Sequence, residues 1–285
     1  MTDRRVLLIV PLLLAGILAG SPAARAQDLK FGFTPVLAEA EMRAEFEPLM
    51  AYLSDAIGRK VVLYIAKDYG DLRTQMEAGT VDIGSFSPFA YVDAVKGGKI
   101  RIIAQSILDH SATYRGLVIA RKDSGLRRVE DLEGKRFAFV DPKSASGYVY
   151  PRAMLLEKGV TPERFFKETT FAGGHDKVIQ AVLDGRADAG AIYDGALGVA
   201  KQKSVAVENL VTLASTDPIP HDAVAVRVGL DEALARKIQT ALVDVDKTEA
   251  GKRALANSKK KLTGHVIADD SLFDVVRRTA KLAGM

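Results

Sequence analysis

The sequence predicts an α/β fold built as two similar lobes, and three observations carry that reading. Strand-like and helical segments alternate in short succession, the pattern of a largely parallel sheet covered by helices. A unit of helix, G-x-x-D-x-G and apolar strand occurs twice. It runs Met76-Glu-Ala-Gly79-Thr-Val-Asp82-Ile-Gly84-Ser-Phe86 and again Val182-Leu-Asp-Gly185-Arg-Ala-Asp188-Ala-Gly190-Ala-Ile192. The copies lie about a hundred residues apart, whereas a solenoid repeats every 20–50. The chain has 285 residues, 48% hydrophobic and 27% charged, enough to bury two cores.

Taken in order, Leu29 to Thr34 reads as a first strand ending at Pro35. Glu39 to Ile57 carries Met42, Phe46, Leu49, Met50, Leu53 and Ile57 at helical spacing, and Gly58 closes it. Strand Lys60–Ile65, helix Asp71–Ala78, strand Val81–Ser85 and helix Ser87–Lys96 complete the first round. The second round has strand Phe137–Val140, helix Tyr148–Lys158, a strand-like Phe165–Phe171, helix Asp176–Leu183 and strand Ala187–Tyr193. Apolar stretches at Tyr114–Lys122 and Ala223–Val228 follow the two rounds and read as the strands that cross between lobes. Helices at Asp231–Val245 and Leu272–Leu282 form a tail expected to pack on the first lobe. The expected division is 27–119 plus 224–285 for one lobe and 120–223 for the other.

Residues 1–26 read as an address rather than as fold. Arg4 and Arg5 precede an apolar run from Val6 to Leu18, which is shorter than the roughly 20 residues of a membrane span. Ala24-Arg25-Ala26 then fits a small-x-small cleavage site, so the expected exported chain begins at Gln27. Without that segment 37 basic and 35 acidic residues remain, a net charge of +2. Lys259-Lys260-Lys261 is an isolated basic run at an expected helix end, so the charge pattern argues against nucleic acid. Cysteine is absent, which removes disulfides, thiolate metal sites, cysteine nucleophiles and a lipid-modified N-terminal Cys. The four histidines form no H-E-x-x-H pattern, and no metal or other cofactor is expected.

The segment Val140-Asp141-Pro142-Lys143-Ser144-Ala145-Ser146-Gly147-Tyr148 joins a strand to a helix through small residues. Such a turn leaves backbone N–H groups unpaired at the positive end of a helix dipole, and the Ser144 and Ser146 hydroxyls add neutral donors. A plain N-cap with a spare serine explains the same residues equally well. The G-x-x-x-x-G-K-[ST] loop of nucleotide hydrolysis is missing. His175 follows Gly173-Gly174 at a helix start, where imidazolium is disfavoured and a neutral N–H donor or a simple cap fits better. Asp194 and Asp222 stand at strand ends, where open α/β sheets bind ligands but where capping is also common. Tyr69 and Tyr114 each stand at an element edge, with an accessible phenol.

In this order the segments resemble the periplasmic solute-binding components of phosphonate, phosphite and phosphate-type ABC importers. The carriers are Phe31-Gly32-Phe33-Thr34-Pro35, Asp68-Tyr69, Gly79 to Gly84, Ser87-Pro88-Phe89-Ala90-Tyr91, the Tyr114 strand, Asp131 to Pro142, Ser144-x-Ser146-Gly147 and Gly174-His175-Asp176. The resemblance covers nearly all of residues 28–285. It implies a type II binding-protein clamp that closes on an oxyanion. One lobe then offers Ser144, Ala145, Ser146, Gly147 and His175, and the other offers Tyr69, Ser87 and Tyr114. Asp222 or Asp194 would accept from a protonated ligand oxygen or an amine. The family pattern has Thr between the two serines and this chain has Ala145, so one hydroxyl is missing. The resemblance also implies a monomer, an ABC permease as partner, and binding rather than catalysis. Two rival readings use the same residues. The clamp could signal to a membrane histidine kinase, although the arsenite branch of the fold relies on a cysteine. An exported hydrolase could be drawn from Ser146, His175 and Asp194, but no G-x-S-x-G elbow supports it.

Overall fold

A computed structural model describes residues 27–285 except Asn257 and Lys260. The expected export signal lies outside the described residues. β1 (Leu29–Phe33) leads to α1 (Glu39–Ile57), which buries the expected stripe from Met42 to Ile57. Gly58, at φ 69°, ends that helix by taking the left-handed conformation a side chain disfavours. β2 (Val61–Ile65), α2 (Asp71–Glu77), β3 (Ile83–Phe86) and α3 (Pro88–Val95) finish the first round, and β4 (Ile100–Leu108) follows. The short β5 (Thr113–Tyr114) precedes β6 (Gly116–Arg121) and β7 (Arg136–Phe139). Then come α4 (Tyr150–Glu157), α5 (Pro162–Phe165), β8 (Glu168–Phe171), α6 (His175–Leu183), β9 (Ala189–Tyr193) and α7 (Gly195–Gln202). The chain continues through β10 (Leu210–Ser215), β11 (Ile219–Pro220) and β12 (Ala223–Arg227). It closes with α8 (Glu232–Val243), α9 (Glu249–Leu255), β13 (Leu262–Ile267) and α10 (Asp274–Leu282).

Two sheets make two lobes. The first runs β13-β4-β12-β3-β1-β2 and the second β10-β6-β9-β7-β8. Each has a parallel core of three strands, β2-β1-β3 and β8-β7-β9, flanked by antiparallel strands. Stacked rings fill each interior: Phe33 lies 4.6 Å from Phe31 and 4.0 Å from Phe46, and Phe137 lies 4.5 Å from Phe166. Among the described residues no helix is long and apolar enough to cross a membrane.

The G-x-x-D-x-G units do the same work twice. Gly79 and Gly185 turn the chain at φ 73° and 71°. Asp82 accepts the Lys30 N–H at 3.0 Å, and Asp188 accepts the Arg136 N–H at 2.8 Å, each tying the turn to the neighbouring parallel strand. The last glycine of each unit lies beneath a helix. A Cβ on Gly84 would meet Met76 Sδ at 2.5 Å, and one on Gly190 would meet Val178 Cγ1 at 2.5 Å.

Three details differ from the sequence reading. The crossing is made by β5 and β11, which pair with each other, while β6 and β12 already belong to the second and first sheets. The strands β4, β10 and β13 had no forecast. The tail is shared between lobes: β13 and α8 pack on the first sheet, but α10 lies against both α3 and α4, and Arg152 Nε donates to Ala283 O at 2.8 Å.

Candidate functional site

A cavity of about 520 Å³ lies between the lobes, walled by residues from both and from the crossing ribbon. Tyr69 and Ser87 reach it from the first lobe, Tyr114 from the crossing, and Ser144, Ser146, His175 and Asp194 from the second; Asp222 enters just after β11. Eight of the ten residues singled out in the sequence thus line one cavity. Ala145 and Gly147 stand behind it. Ala145 is fully buried, and a Cβ on Gly147 would come within 2.4 Å of Val140 Cγ2, so that glycine is there to let the turn press on the sheet.

The turn after β7 is wider than an α-helix. The Val149 N–H reaches back five residues to Ser144 O at 3.1 Å, and the Tyr150 N–H reaches back to Ala145 O. Wide turns of this spacing recur at functional sites because they displace backbone groups from the regular ladder. Ser144 serves both readings at once. Its Oγ accepts the Gly147 N–H at 3.1 Å as a cap, which leaves its own hydrogen free to point elsewhere.

His175 Nδ1 accepts the Tyr193 N–H at 3.2 Å, and the two rings meet edge to face at 4.8 Å. An accepting Nδ1 places the proton of the neutral ring on Nε2, so His175 is a donor there. Asp194 behaves mainly as a cap: Oδ1 accepts from Gly195 N at 2.8 Å and Oδ2 from Arg115 N at 2.9 Å. Nδ1 of His175 and both Asp194 oxygens are thus engaged by backbone amides.

Several other cavity residues were not singled out as site residues in the sequence, among them Val36, Leu108, Lys259, Lys261, Tyr193 and His221. Tyr193 ends β9, and His221 stacks on the Tyr114 ring at 4.9 Å and 15°. Their only sequence signals were position, Tyr193 beside the strand-end Asp194 and His221 beside Asp222. Tyr69 and Tyr193 are 2% and 9% exposed, and each hydroxyl is buried without a hydrogen-bond partner. Tyr69 lies beside Ser144 without completing a bond of good geometry. Burial, reinforced by the Asp222 carboxylate, pushes Tyr69, Tyr114 and Tyr193 well above the usual phenol range; the Asp141 carboxylate adds to the effect on Tyr69. All three therefore remain O–H donors at any physiological pH. Among the described residues no group of three or more His, Asp or Glu could hold a metal ion.

Ion pairs join the lobes at the cavity's edge. Lys143 Nζ, beside the serine turn, meets Asp93 Oδ2 of α3 at 2.8 Å, and Lys203, just past α7, pairs with Glu41 of α1.

A family model described as the periplasmic substrate-binding protein of a phosphonate ABC transporter matches residues 31–273. A phosphate-import protein, PhnD, of Mycolicibacterium smegmatis is 36% identical over 170 residues, 56% of this chain and 53% of that protein. The chain thus spans about half the length of that relative. The phosphonates-binding periplasmic protein of Escherichia coli is 27% identical over 235 residues, covering 80% of this chain and 69% of that one. Among solved structures, a binding-protein component of an ABC phosphonate transporter from Pseudomonas aeruginosa superposes with a TM-score of 0.84 at 22% identity, covering 90% of this chain and 86% of that one.

Proposed function

The chain belongs to the family of periplasmic substrate-binding proteins of phosphonate ABC transporters, and from that premise we propose that it captures a phosphorus oxyanion between its lobes and presents it to an ABC permease. One observation carries the reading. The buried Tyr69 and Tyr193 hydroxyls have no partner, in the same cavity that the Ser144–Ser146 turn and His175 line. A buried donor left unmade costs about 1–3 kcal/mol, a cost that an incoming oxyanion removes. Neutral donors suffice for an anion when they converge where water is excluded, because hydrogen bonds to a charged acceptor strengthen in low dielectric. Asp222 in the wall disfavours a fully ionised trianion and favours a ligand that keeps a proton or carries an amine.

On this reading the two lobes, divided at β5 and β11 rather than at residues 119 and 223, close as two bodies about that ribbon. The chain acts as an exported monomer after loss of residues 1–26. Titration calorimetry with phosphite, methylphosphonate and phosphate tests it. One-to-one binding of at least one of them is expected, with a smaller radius of gyration by small-angle scattering on saturation. Absence of binding by every phosphorus compound tried would overturn the assignment.

A further inference from the structure

Inside the first lobe, against α1, lies a second and much smaller cavity of about 20 Å³. Phe31, Phe33, Phe46 and Leu49 give it apolar walls, and Ser85, Ser106, Asp222 and His265 line it too. Asp222 also lines the main cavity, so the two spaces meet at this residue.

The sheet sets the polar residues in a row. His265 of β13 stands directly opposite Ser106 of β4. On the other side of β4 the Ser106 N–H donates to Asp222 O at 3.0 Å, which extends the β12 ladder by one residue. Residues opposite one another on antiparallel strands present their side chains to the same face. His265, Ser106 and Asp222 therefore run across three strands on one face of the sheet. His265 is 6% exposed, and its Nδ1 is buried with no hydrogen-bond partner within the chain. The Leu242 carbonyl of α8 takes a hydrogen bond from the ring, which places the proton on Nε2 and leaves Nδ1 as an acceptor.

A cavity of about 10–15 Å³ holds one water when two to four polar groups meet it. We propose that one water fills this cavity, donating to His265 Nδ1 and to the Asp222 carboxylate and accepting from Ser106 Oγ, so that His265 and Ser106 are positioning residues for Asp222. Given the phosphorus-oxyanion reading above, the consequence is selectivity. A carboxylate held in place accepts from a ligand oxygen that keeps its proton and repels an anion that has none.

Two experiments test this. A high-resolution crystal structure of the parent protein should show a water within hydrogen-bond distance of His265 Nδ1, Ser106 Oγ and Asp222. In crystals of His265→Leu, which removes the acceptor, the Asp222 carboxylate should turn from its place. In His265→Asn, whose amide oxygen stands near the position of Nδ1, it should stay. Calorimetry at neutral pH then compares methylphosphonate, which keeps a proton on part of its population, with sulfate, which has none. The methylphosphonate-to-sulfate affinity ratio should fall about tenfold in His265→Leu and stay within about threefold in His265→Asn. Ser106→Val, which puts methyl groups into the cavity, should match His265→Leu, and the double variant should be no worse than either. Thermal unfolding confirms that each variant is folded at the assay temperature. If no water meets Nδ1, or if His265→Asn loses as much selectivity as His265→Leu, the inference fails while the phosphorus-oxyanion reading stands. If the parent binds no phosphorus compound, that reading fails, and the crystal comparison still decides whether His265 holds Asp222 in place.

Discussion

The two lobes share a scaffold and differ in what they place at its edge. In the first, Asp82 ties its turn to Lys30 and pairs with Arg227 at 2.9 Å; in the second, Asp188 ties its turn to Arg136 and pairs with that residue's guanidinium at 2.8 Å. The backbone reciprocates in both, with Asp82 N–H to Lys30 O and Asp188 N–H to Arg136 O. After the first parallel strand the copies part. β1 runs out through Thr34 and Pro35 to an ordinary helix, whereas β7 runs into the wide turn of Ser144–Gly147. The repeated residues build the sheet, and the unrepeated turn brings Ser144 and Ser146 to the cavity. Repetition in this chain marks architecture, and the departure from repetition marks the candidate site.

That contrast is open to breaking by substitution. Ser146→Ala removes a hydroxyl from the second lobe's turn and keeps the backbone, and His175→Ala removes one Nε2 donor. A hydrogen bond to a charged group contributes about 1.5–3 kcal/mol, so each should weaken phosphonate binding roughly tenfold to a hundredfold with little change in unfolding temperature. Asp82→Ala and Asp188→Ala should do the reverse. Each strands a strand amide and an arginine, lowering stability by about 1–3 kcal/mol, and each should leave affinity within about twofold in the folded protein. Urea melts and calorimetry on all four variants decide it. If the motif aspartates lower affinity and the turn residues lower stability, the division of labour is reversed.

The alternation of elements and the first-lobe helix stripe were legible because they rest on local signals, and the eight candidate residues that line the cavity were picked out by local signals together with the family resemblance. A period, a capping glycine and a hydroxyl-rich turn after a strand are visible within ten residues. The strand β4 was not legible. It lies inside the sheet, its burial alternates poorly along Ile100–Leu108, and Gln105 and Ser106 are buried on it. The crossing was misplaced because the paired residues are only Thr113–Tyr114 and Ile219–Pro220, too short for a strand pattern. Tyr193 and His221 were missed because their role comes from the lobes meeting, which no window of sequence contains.

The buried histidines sharpen the comparison at a second level. His175 of the second lobe has Nδ1 satisfied by the Tyr193 amide, but His265 on β13 of the first lobe has a buried Nδ1 with no partner. Burial pushes the His265 imidazole down to about 4, so it stays neutral in the fold while the unfolded chain takes up a proton near pH 6.5. The unfolded state then binds more protons as pH falls, and stability must fall with it. Between pH 7 and pH 5 the loss should be about 2 kcal/mol. His265→Leu should flatten that part of the profile, as read by urea midpoints at the two pH values. An unchanged slope would move the titration to another group.

The smallest effect concerns the contacts that join the lobes. On the proposed reading neutral dipoles hold the anion and Lys143 has no part in binding, yet Lys143 spans the cleft to Asp93 as Lys203 spans it to Glu41. The pairs stand partly in solvent and are screened, so each contributes little. Their effect is on how much of the protein is closed, and apparent affinity scales with that fraction. Lys143→Ala and Lys203→Met should therefore each weaken binding only about threefold in low salt, and the difference from the parent should shrink toward nothing in high salt. Ser146→Ala should keep its full penalty at both ionic strengths, because a buried neutral donor is not screened. If Lys143→Ala abolished binding while Ser146→Ala did not, the anion would be held by a cation from the second lobe, and the unrepeated turn would be a spacer for that lysine rather than the site.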